Sequence, residues 1–506
     1  MKTSQKRQLI PLIILLCIII GIGTIALTIG IFDIPDSYFY LALGRYFYTG
    51  MVTPIAPYNM TKPQTLFGPV YGLLTYPLFQ QRWPVVTVTI PFVQLSLLFL
   101  SAYMIYVILK TYYPKPWPMI GAILFILLPF NLLYSTFFMS EILTQFFLTC
   151  YLFVLHTWIQ KKLLKLHGLI GAKVPPKQDS REGGSTMAPL VCIASIMTLT
   201  RYAFVALLIP TILMWLYTVV DDVKRKINLK RTFLHHIVAL MGIGIVILWM
   251  QFNWHINGIW QLSPYTGRHL YDNVVKEGKF LPPLDDPTLR PFRERLGNNL
   301  NDMFRPWWDS QLLFKDNRTP EVTVDTMMWN VSIAAILHNP IAYTLHVITM
   351  AYRTMITVPY HTSALVDELT DYAGCVHCPT APPYNHCWRR MYFTPPVQVC
   401  TAQSLWGKWV QMNITFYPIG AFLFFTLACI GIVAALTSGN VFFIVITVLF
   451  IFLHLFQSAT EQLEGRFIIP LYPLYAMLIT LGFRKSIMLI RSYLIYRHSG
   501  LSRVSS

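Results

Sequence analysis

The sequence predicts an all-α membrane protein: a polytopic helical bundle of about ten transmembrane helices, with interfacial helices and a mixed, loop-rich extracytoplasmic region. Three observations predict it. Of 506 residues, 55% are apolar and only 12% charged, and the mean hydropathy is +0.51, a balance that a soluble domain does not show. Ten apolar runs recur along the chain, most of them long enough to cross a bilayer. The net charge of +17 gathers in the short segments between runs, which is orientation charge and not a nucleic-acid stripe. No Gly-rich phosphate loop appears, so a cytosolic nucleotide is not the expected fuel.

The runs fall near residues 9–32, 85–109, 118–137, 142–159, 187–200, 202–220, 232–253, 415–436, 441–457 and 467–483. Lys2, Lys6 and Arg7 precede the first, which reads as a retained anchor because it lacks a small-residue cleavage site. Lys110 and Lys115, Lys161 to Arg181, Lys224 to Arg231 and the tail from Arg484 to Arg503 then mark the cytoplasmic side. Ten crossings with both ends inside satisfy this pattern. Residues 333–358, with Pro340 and scattered His338, His346 and Arg353, read as a helix on the membrane surface and not as an eleventh span. Three modules result: 1–253, a transmembrane module with the first outer loop 33–84; 254–414, an extracytoplasmic region; and 415–506, a second transmembrane module with a basic tail. Residues 173–186 form a cytoplasmic linker, and Asn59, Asn317, Asn330 and Asn413 place their Asn-x-Ser/Thr triplets outside.

Cys17, Cys150, Cys192 and Cys429 lie inside apolar runs and read as small core residues. Cys375, Cys378, Cys387 and Cys400 cluster outside, and their spacing fits two structural disulfides better than a zinc ribbon, with the pairing open. His235, His236 and His454 read as packed, hydrogen-bonded residues.

Chemistry is expected at the outer surface. Asp33 and Asp36 emerge after the first span, just ahead of a segment with apolar Tyr40, Leu43 and Phe47 at helical spacing. Asp36 can cap that helix, and it can also take a proton from an acceptor hydroxyl. Ser140-Glu141, Thr200-Arg201-Tyr202 and Glu461 to Glu464-Gly-Arg466 bring further ionisable groups to the same depth. Arg201 and Arg466 are the preferred phosphate partners, with Arg45 a third, because a guanidinium keeps its charge and binds phosphate oxygens bidentately. Tyr40, Glu141 and Glu464 complete the expected pocket, and Trp307 and Trp308 are candidates to line a sugar.

These segments resemble the GT-C glycosyltransferases, and within them the protein O-mannosyltransferase and aminoarabinose transferase group. The resemblance is carried by Asp36-Ser-Tyr-Phe-Tyr40-Leu-Ala42-Leu-Gly-Arg45, Gly68-Pro69-Val-Tyr71, Ser140-Glu141, Leu199-Thr-Arg201-Tyr, His338-Asn-Pro340-x-x-Tyr343 and Glu464-Gly-Arg466-Phe-Ile-Ile-Pro470-Leu-Tyr-Pro473. It implies an inverting transfer of a sugar from a polyprenyl-phosphate-linked donor to an acceptor hydroxyl on a protein, lipid or glycan, with Asp36 as base. It departs from that group's pattern at Asp36-Ser37, where a second acid is usual, and at Gly68-Pro69-Val70, where Lys-Pro-Pro is. The motifs do not decide on a cofactor: a divalent cation (Mg or Mn) on Asp33, Asp36 and Glu141 and neutralisation by the arginines alone both stay open. The preferred location is a bacterial-type inner (plasma) membrane with the site facing outward; an endoplasmic-reticulum membrane facing its lumen is the alternative that gives the same inside–outside logic. The reading from another class is a lipid or solute transporter or flippase, which would place charge at mid-membrane.

Overall fold

The protein is described from a computed structural model that covers residues 13–17, 20–21, 35–52, 65, 67–79, 83–128, 130–135, 138–169, 187–224, 229–296, 300–304, 321–356, 405–460 and 465–501. Helices make up nearly all of it, and no strand occurs among the described residues. Among the described residues, seven helical stretches are long and apolar enough to cross a membrane: Val88–Lys110, Glu141–Lys161, Tyr202–Asp221, His236–Asn257, Tyr417–Thr437, Val441–Thr460 and Ile468–Ile495. The chain is an integral, multi-pass membrane protein.

We number the helices α1 (Pro35–Thr49), α2 (Pro69–Phe79), α3 (Trp83–Lys110), α4 (Trp117–Leu127), α5 (Asn131–Tyr134), α6 (Glu141–Leu169), α7 (Met187–Thr200), α8 (Val205–Lys224), α9 (Leu229–Asn257), α10 (Thr266–Tyr271), α11 (Arg290–Leu296), α12 (Glu321–His338), α13 (Pro340–Ile356), α14 (Leu405–Thr437), α15 (Val441–Thr460) and α16 (Tyr472–Leu501). Two of the ten expected crossings are shorter than a span. The run 118–137 stops at Leu127 because Leu128, which precedes Pro129, is driven to extended backbone (ψ 140). The chain then turns through a left-handed Phe130 (φ 65) into α5. The run 187–200 forms the 14-residue α7, about 21 Å long at 1.5 Å per residue, with ten of its residues buried. It is a core helix enclosed by its neighbours. The first run, 9–32, lies mostly outside the described residues.

The expected surface helix at 333–358 is two helices. Residues 333–338 end α12, and Pro340 starts α13 after a bend of 107°. Proline favours the first helical position, where its missing N–H costs nothing, so Pro340 begins a helix instead of interrupting one. Ile341, Leu345, Ile348 and Tyr352 lie exposed along one face of α13, while Val347, Met350 and Met355 are buried.

One large apolar cluster fills the bundle, and a second, from Leu270 and Tyr271 through Phe292 to Met328 and Ala335, holds together the segment between α10 and α12. In its described part that segment alternates short helices, Asp272–Glu277, Pro287–Leu289, Arg290–Leu296 and Leu300–Phe304, with a non-helical stretch at 278–286. α14 and α16 cross closely: a Cβ on Gly482 would stand 1.8 Å from Leu427 O, and one on Gly431 2.0 Å from Leu478 O. Small residues at a crossing let two backbones approach in lipid, where dispersion has to replace the hydrophobic drive. Leu213, Leu248, Ile419, Phe422 and Val433 are exposed, as lipid-facing side chains are. Cys17 and Cys429 share that exposure, so they are not core residues as expected; Cys150 and Cys192 are half-buried, and all four are free thiols. Cys375, Cys378, Cys387 and Cys400 lie outside the described residues.

The two ends of the bundle differ chemically. At one end Arg484 stacks over the Tyr113 ring at 4.4 Å and Lys110 over Tyr106 at 5.9 Å. Phe443, near the start of α15, packs on Tyr113 there. At the far end of α15, Ser458 O accepts from Asn273 Nδ2 (2.9 Å) and Ala459 O from the Tyr343 hydroxyl (2.6 Å). The start of α6, the end of α7 and the end of α9 share this second end.

Candidate functional site

The site is built where α7 breaks into α8. Arg201 is extended at the break (φ −143, ψ 120) and a short 3-10 turn, Tyr202–Phe204, leads into α8. Its guanidinium Nη1 donates to Glu141 Oε1 at 2.8 Å. Glu141 is the first residue of α6 and only 1% exposed, whereas Arg201 keeps 12%. The acid sits where a helix N-terminus favours negative charge. Its second oxygen, Oε2, is buried with no hydrogen-bond partner.

From this pair a closed circuit of contacts runs through four separate stretches of chain. Ser140, next to Glu141, shares a 2.9 Å hydrogen bond with the Tyr40 hydroxyl of α1. The Tyr40 ring stacks on Phe67 (4.9 Å, 25°) and meets Tyr71 edge-on (5.0 Å). The Phe67 carbonyl accepts from the Tyr202 hydroxyl at 2.8 Å, and Thr65 O lies 3.1 Å from the same hydroxyl. Tyr202 adjoins Arg201, which closes the circuit. Asn257 Nδ2, at the end of α9, also donates to Thr65 Oγ1 (2.9 Å).

Gly68 explains how closely these stretches meet. A Cβ there would stand 1.9 Å from Leu199 O and 3.1 Å from Thr200 C, so the first loop lies directly on the backbone leading to Arg201. Lysine, usual at this point in the group that the sequence resembles, would not fit. α1 and α2 meet in the same manner, with a Gly72 Cβ 2.3 Å from Tyr40 O.

Beneath the circuit, burial pushes the Tyr71 hydroxyl well above its ordinary pKa. The neighbouring Tyr40 and Glu141 act in the same direction, and a backbone hydrogen bond from Met139 opposes them. Tyr71 therefore stays protonated, and its oxygen accepts from Gln94 Nε2 at 3.3 Å. One turn beyond Glu141, Gln145 Nε2 donates to Asn131 Oδ1 (2.7 Å) and to Ile469 O (2.9 Å). The second bond ties α6 to the 3-10 helix Gly465–Leu471, which carries Arg466.

Sequence-predicted residues divide accordingly. Tyr40, Glu141 and Arg201 come together. Asp36 lies in the first turn of α1, four residues before Tyr40 and so about 6 Å along the axis. Arg466 lies three residues before Ile469 on its short helix. Only the backbone positions of these two are described. Arg45 stands five residues beyond Tyr40, towards the other end of α1, where Nη2 reaches Met51 Sδ at 3.6 Å. Asp33, Glu464, Trp307 and Trp308 lie outside the described residues, and so does the side chain of His235. Trp215 Nε1 donates to His236 (3.2 Å) and His454 bonds Ala351 O (2.8 Å), as packed histidines do. No three His, Cys, Asp or Glu side chains gather into a metal-binding group among the described residues.

Sequence reasoning missed several participants. Phe67 carries no charge and looked like a belt aromatic, and Tyr71 entered only as part of the Gly68-Pro69-Val-Tyr71 segment; Asn131 and Gln145, polar residues within apolar runs, were the available signal. A further buried group stands apart from the circuit: Asp325 of α12 accepts from the backbone N–H of Gly267 (3.1 Å) and Arg268 (3.0 Å). No spacing in the sequence announces it.

No family model matches the chain, and none of the curated proteins does. Solved structures similar to it include ArnT from Cupriavidus metallidurans bound to undecaprenyl phosphate, with 11% identity, 93% of this chain and 77% of that chain covered, and a TM-score of 0.35. ArnT from the same organism in the apo state gives 12% identity, 93% and 76% coverage, and a TM-score of 0.33. Overlaps this slight carry no substrate and no residue role across.

Proposed function

We propose that the protein is a membrane glycosyltransferase that moves a sugar from a polyprenyl-phosphate-linked donor to an acceptor hydroxyl, with inversion, at the end of the bundle opposite Lys110 and Arg484. The observation that carries this reading is the circuit itself: a Glu141–Arg201 pair, its acid buried, linked through Tyr40, Phe67 and Tyr202 to α1, the helix that carries Asp36. A guanidinium aligned by a buried carboxylate and 12% exposed is suited to meet a phosphate.

In this reading Asp36 accepts the proton of the acceptor hydroxyl. The acceptor oxygen bonds to the anomeric carbon as the bond from that carbon to the phosphate oxygen breaks, and polyprenyl phosphate leaves with the electron pair. Arg201, aligned by Glu141, and Arg466 stabilise the charge that develops on the phosphate. Asp33 serves as a second acid beside Asp36, and Glu464 borders the pocket. A divalent cation held by Asp33, Asp36 and Glu141 would supply further charge neutralisation, and no step above runs through it. The acceptor is a protein, a lipid or a glycan, and the site faces away from the cytoplasm.

Asp36→Asn tests the reading. The purified, lipid-reconstituted variant should retain its fold and lose transfer by roughly a hundredfold or more, the usual scale for a general base. Near-normal turnover at normal yield would overturn the assignment.

A further inference from the structure

We infer that α13 is sunk into the leaflet at the end of the bundle opposite Arg484, with the acyl chains of membrane lipid covering its stripe of Ile341, Leu345, Ile348 and Tyr352. The inference goes beyond the transferase reading and does not depend on it. A helix resting on the membrane would touch only the outer ends of the spans. α13 begins at such an end and then descends. Near its start the Tyr343 hydroxyl donates to Ala459 O (2.6 Å), beside the last residue of the span Val441–Thr460. Farther along, Ala351 O accepts from His454 Nε2 (2.8 Å), and the Thr354 hydroxyl lies 3.5 Å from the same nitrogen. His454 precedes Ala459 by five residues, which is about 7.5 Å of helix towards the middle of the membrane.

α14 reports a similar depth independently. The Tyr352 ring meets Phe425 edge-on at 5.6 Å. Phe425 lies eight residues past Tyr417, the first residue of its span, which is about 12 Å of helix. The hydrocarbon core is about 30 Å thick, so about 15 Å per leaflet, and both depths fall within one leaflet.

Depth alone does not say what covers the outward face; the neighbours do. Ile341, Leu345, Ile348 and Tyr352 follow one another at spacings of four, three and four, which sets them on one side of the helix. They are 44% to 77% exposed, while Val347, Met350, Ala351 and Met355 are buried. Phe422 stands three residues before Phe425 on the same side of α14 and is 62% exposed, as a lipid-facing side chain is. Through Tyr352 and Phe425 the stripe therefore joins the lipid face of a span, and the two form one apolar surface. Arg353 is exposed beside Tyr352, and its stem is long enough to carry the guanidinium towards the headgroups.

Photocrosslinking of the full-length protein in phospholipid liposomes tests the inference. p-Benzoylphenylalanine in place of Ile348, or of Leu345 where that variant does not fold, should add the mass of one phospholipid on irradiation. The yield should match that of the same group in place of Phe422, the lipid-facing reference. The group in place of Glu294, a 62% exposed side chain on α11, should give no such adduct. Fragmentation should place the Ile348 attachment farther down the acyl chain than the attachment from Ile341, because α13 descends between them. A lipid adduct at Phe422 with none at Ile348 and Leu345, a doubled protein mass from Ile348, or a yield at Ile348 no greater than at Glu294 would each overturn lipid as the occupant. Attachment at the same depth from Ile341 and Ile348 would overturn the descent. None of these results bears on the transferase reading, which stands or falls on turnover.

Discussion

Replacing Gly68 with alanine is the sharpest probe of how the first loop is seated. The added carbon would stand 1.9 Å from Leu199 O, and ordinary contact begins near 3.4 Å, so the backbone at Gly68 has to retreat by about 1.5 Å. Backbone cannot rotate out of the way as a side chain tip can. A retreat of that size, where it carries Phe67 O away from the Tyr202 hydroxyl, breaks their 2.8 Å bond, since contact beyond about 3.5 Å is no longer a hydrogen bond. Overpacking of this kind costs about 1–3 kcal/mol, and the lost bond about 1 kcal/mol more. Gly244 offers an internal control, because a Cβ there meets nothing within 4 Å. Gly244→Ala should be neutral, or stabilising by up to about 1 kcal/mol through helix propensity. Thermal melts of the two purified variants in one detergent, with turnover measured on the same samples, make the comparison. Gly68→Ala should melt several degrees lower and transfer poorly. Equal melting and equal turnover of the two variants would refute the packing that places the loop on Arg201.

Glu141→Gln leaves the Arg201 guanidinium facing a neutral amide; the loss should be about 3 kcal/mol, and pairing it with Arg201→Gln should recover part of that in a double-mutant cycle of melting curves. Gly482→Ala drives a carbon to within 1.8 Å of Leu427 O and should reduce the yield of folded protein, whereas Gly420→Ala, with open space around it, should not. Asp286 caps the short helix at Pro287–Leu289, accepting from Thr288 N (2.9 Å) and Thr288 Oγ1 (2.6 Å), and these bonds, helped by His338, hold its carboxyl below the ordinary value. Its contribution is therefore present at neutral pH and lost as pH falls below about 4. Amide exchange around residues 286–296 should quicken over that acid window in wild type and show no such step in Asp286→Ala.

The multi-pass, helical character was legible because span length is a property of composition over twenty residues or more. Where it went astray, a single residue decided the matter. Pro129 cut one apolar run into a short helix and a turn, and Pro340 began a second helix where one continuous surface helix was expected. Glu141 and Arg201 could be found because charge is scarce at the ends of spans. Their pairing at 2.8 Å could not, since nothing in the spacing of residues sixty apart specifies which helix ends meet. Phe67, and the part played by Tyr202 within the Thr200-Arg201-Tyr202 segment, were hidden for another reason. Their roles are carried by a backbone carbonyl and a ring hydroxyl, which any aromatic-rich interface supplies. Gly68 reads in the sequence only as a departure from a motif, and its close approach to Leu199 supplies the physical reason.

Release of the lipid carrier tests the central claim most directly. Purified wild-type protein in liposomes, given a panel of polyprenyl-phosphate sugars and candidate acceptors, should liberate free polyprenyl phosphate in step with glycosylated product, one for one. Movement of donor lipid between leaflets with no free polyprenyl phosphate, whichever acceptor is supplied, would contradict the account.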